Sequence, residues 1–211
     1  MINSNTLTVC IDFKNPEAYL AWAPTCALAR KQNIAINWLP FVGPHPKIPE
    51  TPQANQKPNR GTLHRHMRFE YRQQNIMRYS AKLGLTREAL NRKINSEPAA
   101  LGLLWCQQIS NTCTIRYIET MFTACWQQKL DIADPALIQN AIESANAKVE
   151  HFAPWVRDSG SSELADLHHE LKQQGVFDSP FYLLQGESFL GRQHLPMIEW
   201  MLSNKQGIKP I

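Results

Sequence analysis

Two short runs of alternating apolar residues, one on each side of a helix signal, constrain this chain most. Leu7, Val9, Ile11 and Phe13 alternate with Thr8, Cys10 and Asp12, a period of two that predicts a strand over 7–13. Lys14-Asn15-Pro16 stops it. Pro16 fits the first turn of a helix, where its missing N–H leaves nothing unpaired, and Asn15 is the natural N-cap. Alanine and leucine then favour helix to about Lys31, with a kink expected near Ala21 because Pro24 removes one intrahelical bond. Ile34, Ile36 and Trp38 alternate again and end at Pro40, so the opening segment is a βαβ unit with a right-handed crossover.

Five prolines between Phe41 and Gly61 forbid regular helix there and predict an extended loop, of the kind that often covers a site. Helical stretches follow: Leu63 to Leu83, Arg87 to about Ile94, Ala99 to Gln108, Thr112 to Lys129, and Pro135 to about Phe152 behind an Asp134 cap. Another helix begins near Ser161 and closes at Gly175. Phe181 to Leu184 and Ser188 to Gly191 flank a glycine turn and predict a hairpin, and Pro196 opens a last helix over 195–202. The order βαβ, helices, α, ββα predicts an α/β, thioredoxin-like fold. Its expected domains are 1–60 with 160–211, and an inserted helical subdomain over 62–159.

Composition narrows the function classes. At 211 residues, 43% hydrophobic and 19% charged, the chain is expected to be an ordinary globular protein. A net charge of +4 is too mild to argue for nucleic acid as a partner. Its apolar stretches fall far short of the ~18–20 residues that cross a bilayer, so no membrane partner is expected. Met1 to Asn5 carry neither a basic nor an apolar leader region, and five cysteines without a CxxC suit reduced thiols, so a cytoplasmic location is expected. His64-x-His66 and His168-His169 lack a third ligand at helical spacing and are read as surface rather than metal ligands. The basic stretch from Lys57 to Arg78 is read as a solvated helix face, with a surface that meets a carboxylate substrate as the alternative. No P-loop, dinucleotide fingerprint or Gly-x-Ser-x-Gly elbow occurs.

Three segments carry a resemblance: Asp12-Phe13-Lys14-Asn15-Pro16-Glu17-Ala18-Tyr19-Leu20-Ala21, Gly175-Val176-Phe177-Asp178-Ser179-Pro180 and Phe189-Leu190-Gly191-Arg192-Gln193-His194-Leu195. Together they resemble the DsbA-like thioredoxin family, within it the branch of 2-hydroxychromene-2-carboxylate isomerases and kappa-class glutathione transferases. His66 to Arg72 also resembles the helical segment of that branch. Redox-active members open the first helix with Cys-Pro-x-Cys; here Asn15 and Ala18 stand at those positions, and neither can attack or resolve a disulfide. A thiol-disulfide oxidoreductase is therefore disfavoured.

The isomerase branch implies glutathione as cofactor, held by a Ser where this chain has Asn15. An asparagine amide can donate to a thiolate, and the helix end beginning at Pro16 favours negative charge. Asn15 can also be a cap and nothing more, and both roles can hold at once. The resemblance further implies a cis bond before Pro180, with the Ser179 main chain turned outward to pair with a peptide-like ligand. It implies that Gly191, Arg192, Gln193 and His194 grip the glutamyl end, although Gln193 replaces the usual aspartate and His194 the arginine. Tyr19, Trp22 and Tyr71 are candidates for a substrate pocket, and most of the chain's aromatics are expected in the core.

The expected function is that of a glutathione-dependent isomerase or transferase acting on a small aromatic or carboxylate-bearing molecule, in which the glutathione thiolate adds reversibly to an electrophilic carbon. The alternative is a thioredoxin-fold binding protein that has lost catalysis. A homodimer is plausible because dimers are common.

Overall fold

The computed structural model describes residues 6–44, 60–80, 83 and 85–210. Met1 to Asn5 and most of the proline-rich loop lie outside them. The order of elements is β1 (Leu7–Ile11), α1 (Pro16–Gln32), β2 (Ile36–Pro40), α2 (Arg60–Ser80), α3 (Arg87–Leu90), α4 (Glu97–Gln107), α5 (Asn111–Phe122), α6 (Pro135–Ser144), α7 (Phe152–Trp155), α8 (Ser161–Gln173), β3 (Phe181–Leu184), β4 (Glu187–Leu190) and α9 (Leu195–Leu202). One sheet has the order β2-β1-β3-β4; β1 and β2 run parallel, and the other two pairings are antiparallel. This is a thioredoxin-like arrangement with additional helices.

β1 is one of the two interior strands and is buried along its whole length, Thr8 and Cys10 included. Its alternation therefore separates two covered faces rather than core from solvent. Val9 sits in register with Trp38 and Tyr182, and the Tyr182 hydroxyl meets Thr25 Oγ1 of α1 at 2.9 Å. Cys10, Leu39 and Phe181 form the opposite face and pack with Leu167 and Leu171 of α8. The hairpin turn is Gln185-Gly186, both at positive φ, which suits the twist of the paired strands.

Two compact units divide the chain: residues 1–43 with 94–211, and residues 44–93. This differs from the expected insertion over 62–159, because α4 to α7 belong to the same unit as the sheet. The smaller unit carries α2 and α3. The long helix expected from Pro135 to about Phe152 ends at Ser144 instead. Asn146 takes a left-handed conformation, and Ala147 N–H bonds back to Ile142 O at 3.1 Å, a Schellman-type ending for which the asparagine was the available signal. The helix expected to run to Lys129 is α-helical only to Phe122 and continues as a wider π turn over Thr123–Gln127. α1 runs through Pro24 to Gln32.

α4 and α5 meet at Gly102, where an added methyl group would overlap the buried Tyr117 hydroxyl, which itself donates to Ala99 O at 3.0 Å. Gly102→Ala is expected to lose about 1–3 kcal/mol, since a packed core pays for overfilling by moving side chains off their rotamers. Urea unfolding should register this as a lower midpoint with an unchanged slope.

Candidate functional site

The first turn of α1 is built as a closed unit. Asn15 Oδ1 accepts from Glu17 N–H at 2.9 Å, and the Asn15 carbonyl accepts from Ala18 and Tyr19 N–H, so the side chain caps the helix as expected. Pro16 has no N–H to offer. The amide of Asn15 faces the loop before β3: Nδ2 lies 2.5 Å from Ser179 O, 3.0 Å from Ser179 Oγ and 3.3 Å from Asp178 Oδ1. Two N–H groups thus meet three acceptors.

The Ser179–Pro180 peptide is cis. The Ser179 main chain is nevertheless engaged rather than open, which corrects the expectation of a free edge. Its N–H donates to Asp178 Oδ1 at 2.8 Å, its carbonyl accepts from Asn15, and the residue is only 3% exposed. The cause is Asp178, whose short carboxylate accepts from the N–H of the very next residue. Sequence reading assigned that residue no role, although an aspartate just ahead of Ser-Pro was the signal for it.

The loop after β4 is also folded on itself. Gln193 Nε2 donates to Leu190 O at 2.7 Å, and its amide lies over Gly191 so closely that an added methyl group there would overlap it. His194 lies against Phe189 at 5.7 Å between ring centroids, the planes inclined at 44°. Gly191, Arg192, Gln193 and His194 therefore form one short turn leading into α9.

The three pocket candidates differ in their surroundings. Tyr19 is a core residue: its ring stacks on Trp126 at 6.3 Å, and its hydroxyl accepts from Gln127 Nε2 at 2.8 Å. Trp22 is half-buried and lies 4.9 Å from Trp38. Tyr71 is 65% exposed on α2, in the smaller unit.

Beside the α1 start, sequence reading missed a buried polar cluster. Asp12 Oδ2 accepts from Lys14 Nζ at 2.7 Å and Gly43 N–H at 2.9 Å, and Oδ1 accepts from Ser96 Oγ and Lys14 N–H. His168 Nε2 accepts from Val42 N–H at 3.2 Å. Burial lowers the His168 pKa, with Lys172 adding to the effect and Asp12 and Glu97 opposing it, which keeps the imidazole a neutral acceptor.

The described cysteines are all free thiols. Burial pushes Cys10 up to about 12 and Cys26 up to about 11, so both are protonated at neutral pH and are poor nucleophiles. Among the described residues no group of three or more His, Cys, Asp or Glu side chains could hold a metal ion. None of the described helices is long and apolar enough to cross a membrane.

Comparison with known proteins bears on this geometry. The DSBA-like thioredoxin domain matches residues 6–203. Among solved structures, a 2-hydroxychromene-2-carboxylate isomerase is 18% identical with a TM-score of 0.71, covering 95% of each chain. A putative protein disulfide isomerase from Nitrosomonas europaea is 14% identical with a TM-score of 0.67, covering 97% of this chain and 100% of that one. The cytosolic disulfide reductase DsbM from Pseudomonas aeruginosa, solved with GSH, is 15% identical with a TM-score of 0.57, covering 95% and 98%. At these identities the likeness is one of fold. No curated protein matches the chain.

Proposed function

Because the chain belongs to the DSBA-like thioredoxin family, we propose that it is a binding member of that family, with no thiol chemistry of its own at the start of α1. The observation that carries this reading is the closure of Asn15 onto Asp178 and Ser179. A peptide-like thiol entering there would have to break those bonds, each worth about 0.5–1.5 kcal/mol net. It would also find no free N–H in the first helical turn. Disulfide exchange has still less support, since Asn15 and Ala18 stand where a dithiol is needed and Cys10 is sealed inside β1.

The second reading keeps the expected glutathione-dependent isomerase or transferase. It is favoured by the isomerase-like fold over 95% of the chain and by glutathione in the DsbM structure. In it, the incoming cysteinyl unit displaces Asn15 from Ser179, and the freed amide donates to the thiolate beside the positive end of α1. Gln193 and His194 would have to unfold from their turn to reach the glutamyl end. The cytoplasm is the proposed compartment for either reading, since free cysteines persist where thiols are kept reduced.

Calorimetry with reduced glutathione at millimolar concentration tests the choice. The binding reading expects no saturable heat from the wild-type chain and no insulin reduction above background. Saturable binding that weakens in Asn15→Ala would overturn it in favour of the second reading.

A further inference from the structure

A groove of about 630 Å³ lies between α1, β2 and α5, entirely within the larger unit. Small-molecule sites usually occupy about 300–1,000 Å³, so its size suits one. It is distinct from the closed start of α1. Trp22, the lining residue nearest that end, comes seven residues after Asn15, about 10 Å along the helix. The groove extends from there to the helix C-terminus at Asn33.

Its apolar wall is Trp22 and Trp38, with ring centroids 4.9 Å apart and planes inclined at 51°, together with Ile115 of α5. Trp38 is buried behind Trp22, so it is the half-buried Trp22 indole that offers an open face for a ligand ring to pack against edge-to-face or offset. Cys26 belongs to the same wall, and its thiol, protonated at neutral pH, is apolar lining rather than a nucleophile. The exposed rim carries one charge of each sign. Arg30 and Glu119 both lie near enough to act electrostatically on the Cys26 thiol, in opposite directions. Among the described residues neither forms an ion pair.

A purely anionic ligand would meet Arg30 but be repelled by Glu119, and a purely cationic one would meet the reverse. A ligand with both charges satisfies both. We propose that this groove binds a small aromatic zwitterion, its ring against Trp22, its carboxylate toward Arg30 and its ammonium toward Glu119. This site is independent of the reading of Asn15.

Calorimetry on the full chain with L-tryptophan, indole-3-propionate and tryptamine separates the contributions, because the three share a ring and differ in charge. L-Tryptophan is expected to bind saturably and at least about tenfold more tightly than either singly charged probe, the worth of one added charge-assisted contact. Arg30→Gln, at an exposed position, should weaken L-tryptophan by about tenfold and leave tryptamine nearly unchanged. Filling the groove by Ala29→Trp, at a lining position of α1, should abolish binding, while Asn15→Ala should preserve it. Absence of saturable binding by all three probes would overturn the proposal. So would equal affinity for indole-3-propionate and L-tryptophan, or binding that survives a filled groove.

Discussion

Asp12→Ala is expected to destabilise the protein by about 3–5 kcal/mol, the usual cost of removing one partner from a buried ion pair. The side chains of Lys14 and Asp12 are 7% and 3% exposed. Without the carboxylate, the Lys14 ammonium keeps only Ser96 Oγ, at 3.2 Å, as a described side-chain partner. Gly43 N–H, the Lys14 N–H and the Ser96 hydroxyl lose the same acceptor. The loss is structural as well as electrostatic. Asp12 follows β1 and ties together Gly43 and Ser96, the two places where the larger unit's chain gives way to residues 44–93. Urea unfolding measures the cost, and a double-mutant cycle isolates the pair: Asp12→Leu with Lys14→Met should recover the ionic part of the stability lost in Asp12→Leu alone, because an apolar pair leaves no charge stranded. A loss below about 1 kcal/mol in Asp12→Ala would mean that water reaches the cluster.

How legible was this arrangement in the sequence? The βαβ opening, the Asn15 cap and the hairpin could be read because each is local: a period of two, a proline at the first helical position, a glycine between two strands. The divide between units was not legible, since whether α4 packs with the sheet depends on contacts made across the fold rather than on its own pattern. The π turn at Thr123–Gln127 was hidden for a related reason: Ile115, Ile118 and Phe122 keep helical spacing up to the point where the turn widens. At the candidate site, residue types were readable but occupancy was not. Asn15 and Ser179 come together. That they satisfy one another, with Asp178 closing the remaining N–H, follows from three side chains meeting across 163 and 164 residues of sequence. Likewise Tyr19 and Trp22, three residues apart on one helix, divide between core and groove because α5 and the turn after it cover the first and leave the second half open.

That same turn makes Trp126→Ala the other large expected loss, about 3–5 kcal/mol, as for other buried aromatics truncated to alanine. Trp126 is 1% exposed, stacks on Tyr19 with 11° between ring planes, and donates Nε1–H to Phe13 O at 2.9 Å. Gln127, its neighbour, reaches the Tyr19 hydroxyl. Adjacent residues of a regular helix point about 100° apart; the wider π turn reduces that angle and lets both side chains reach Tyr19. Truncation to alanine opens a cavity beneath α1 and removes the donor from a carbonyl two residues before Asn15. Trp126→Phe separates the two effects, since it retains most of the ring's packing and loses only the N–H. Its expected cost is about 1–3 kcal/mol, that of a buried acceptor left without its donor. If phenylalanine proves as damaging as alanine, the hydrogen bond to Phe13 outweighs the cavity, and it is the main tie between the helices after α4 and the start of α1. If it proves harmless, Phe13 O has another donor and packing alone holds Trp126 in place.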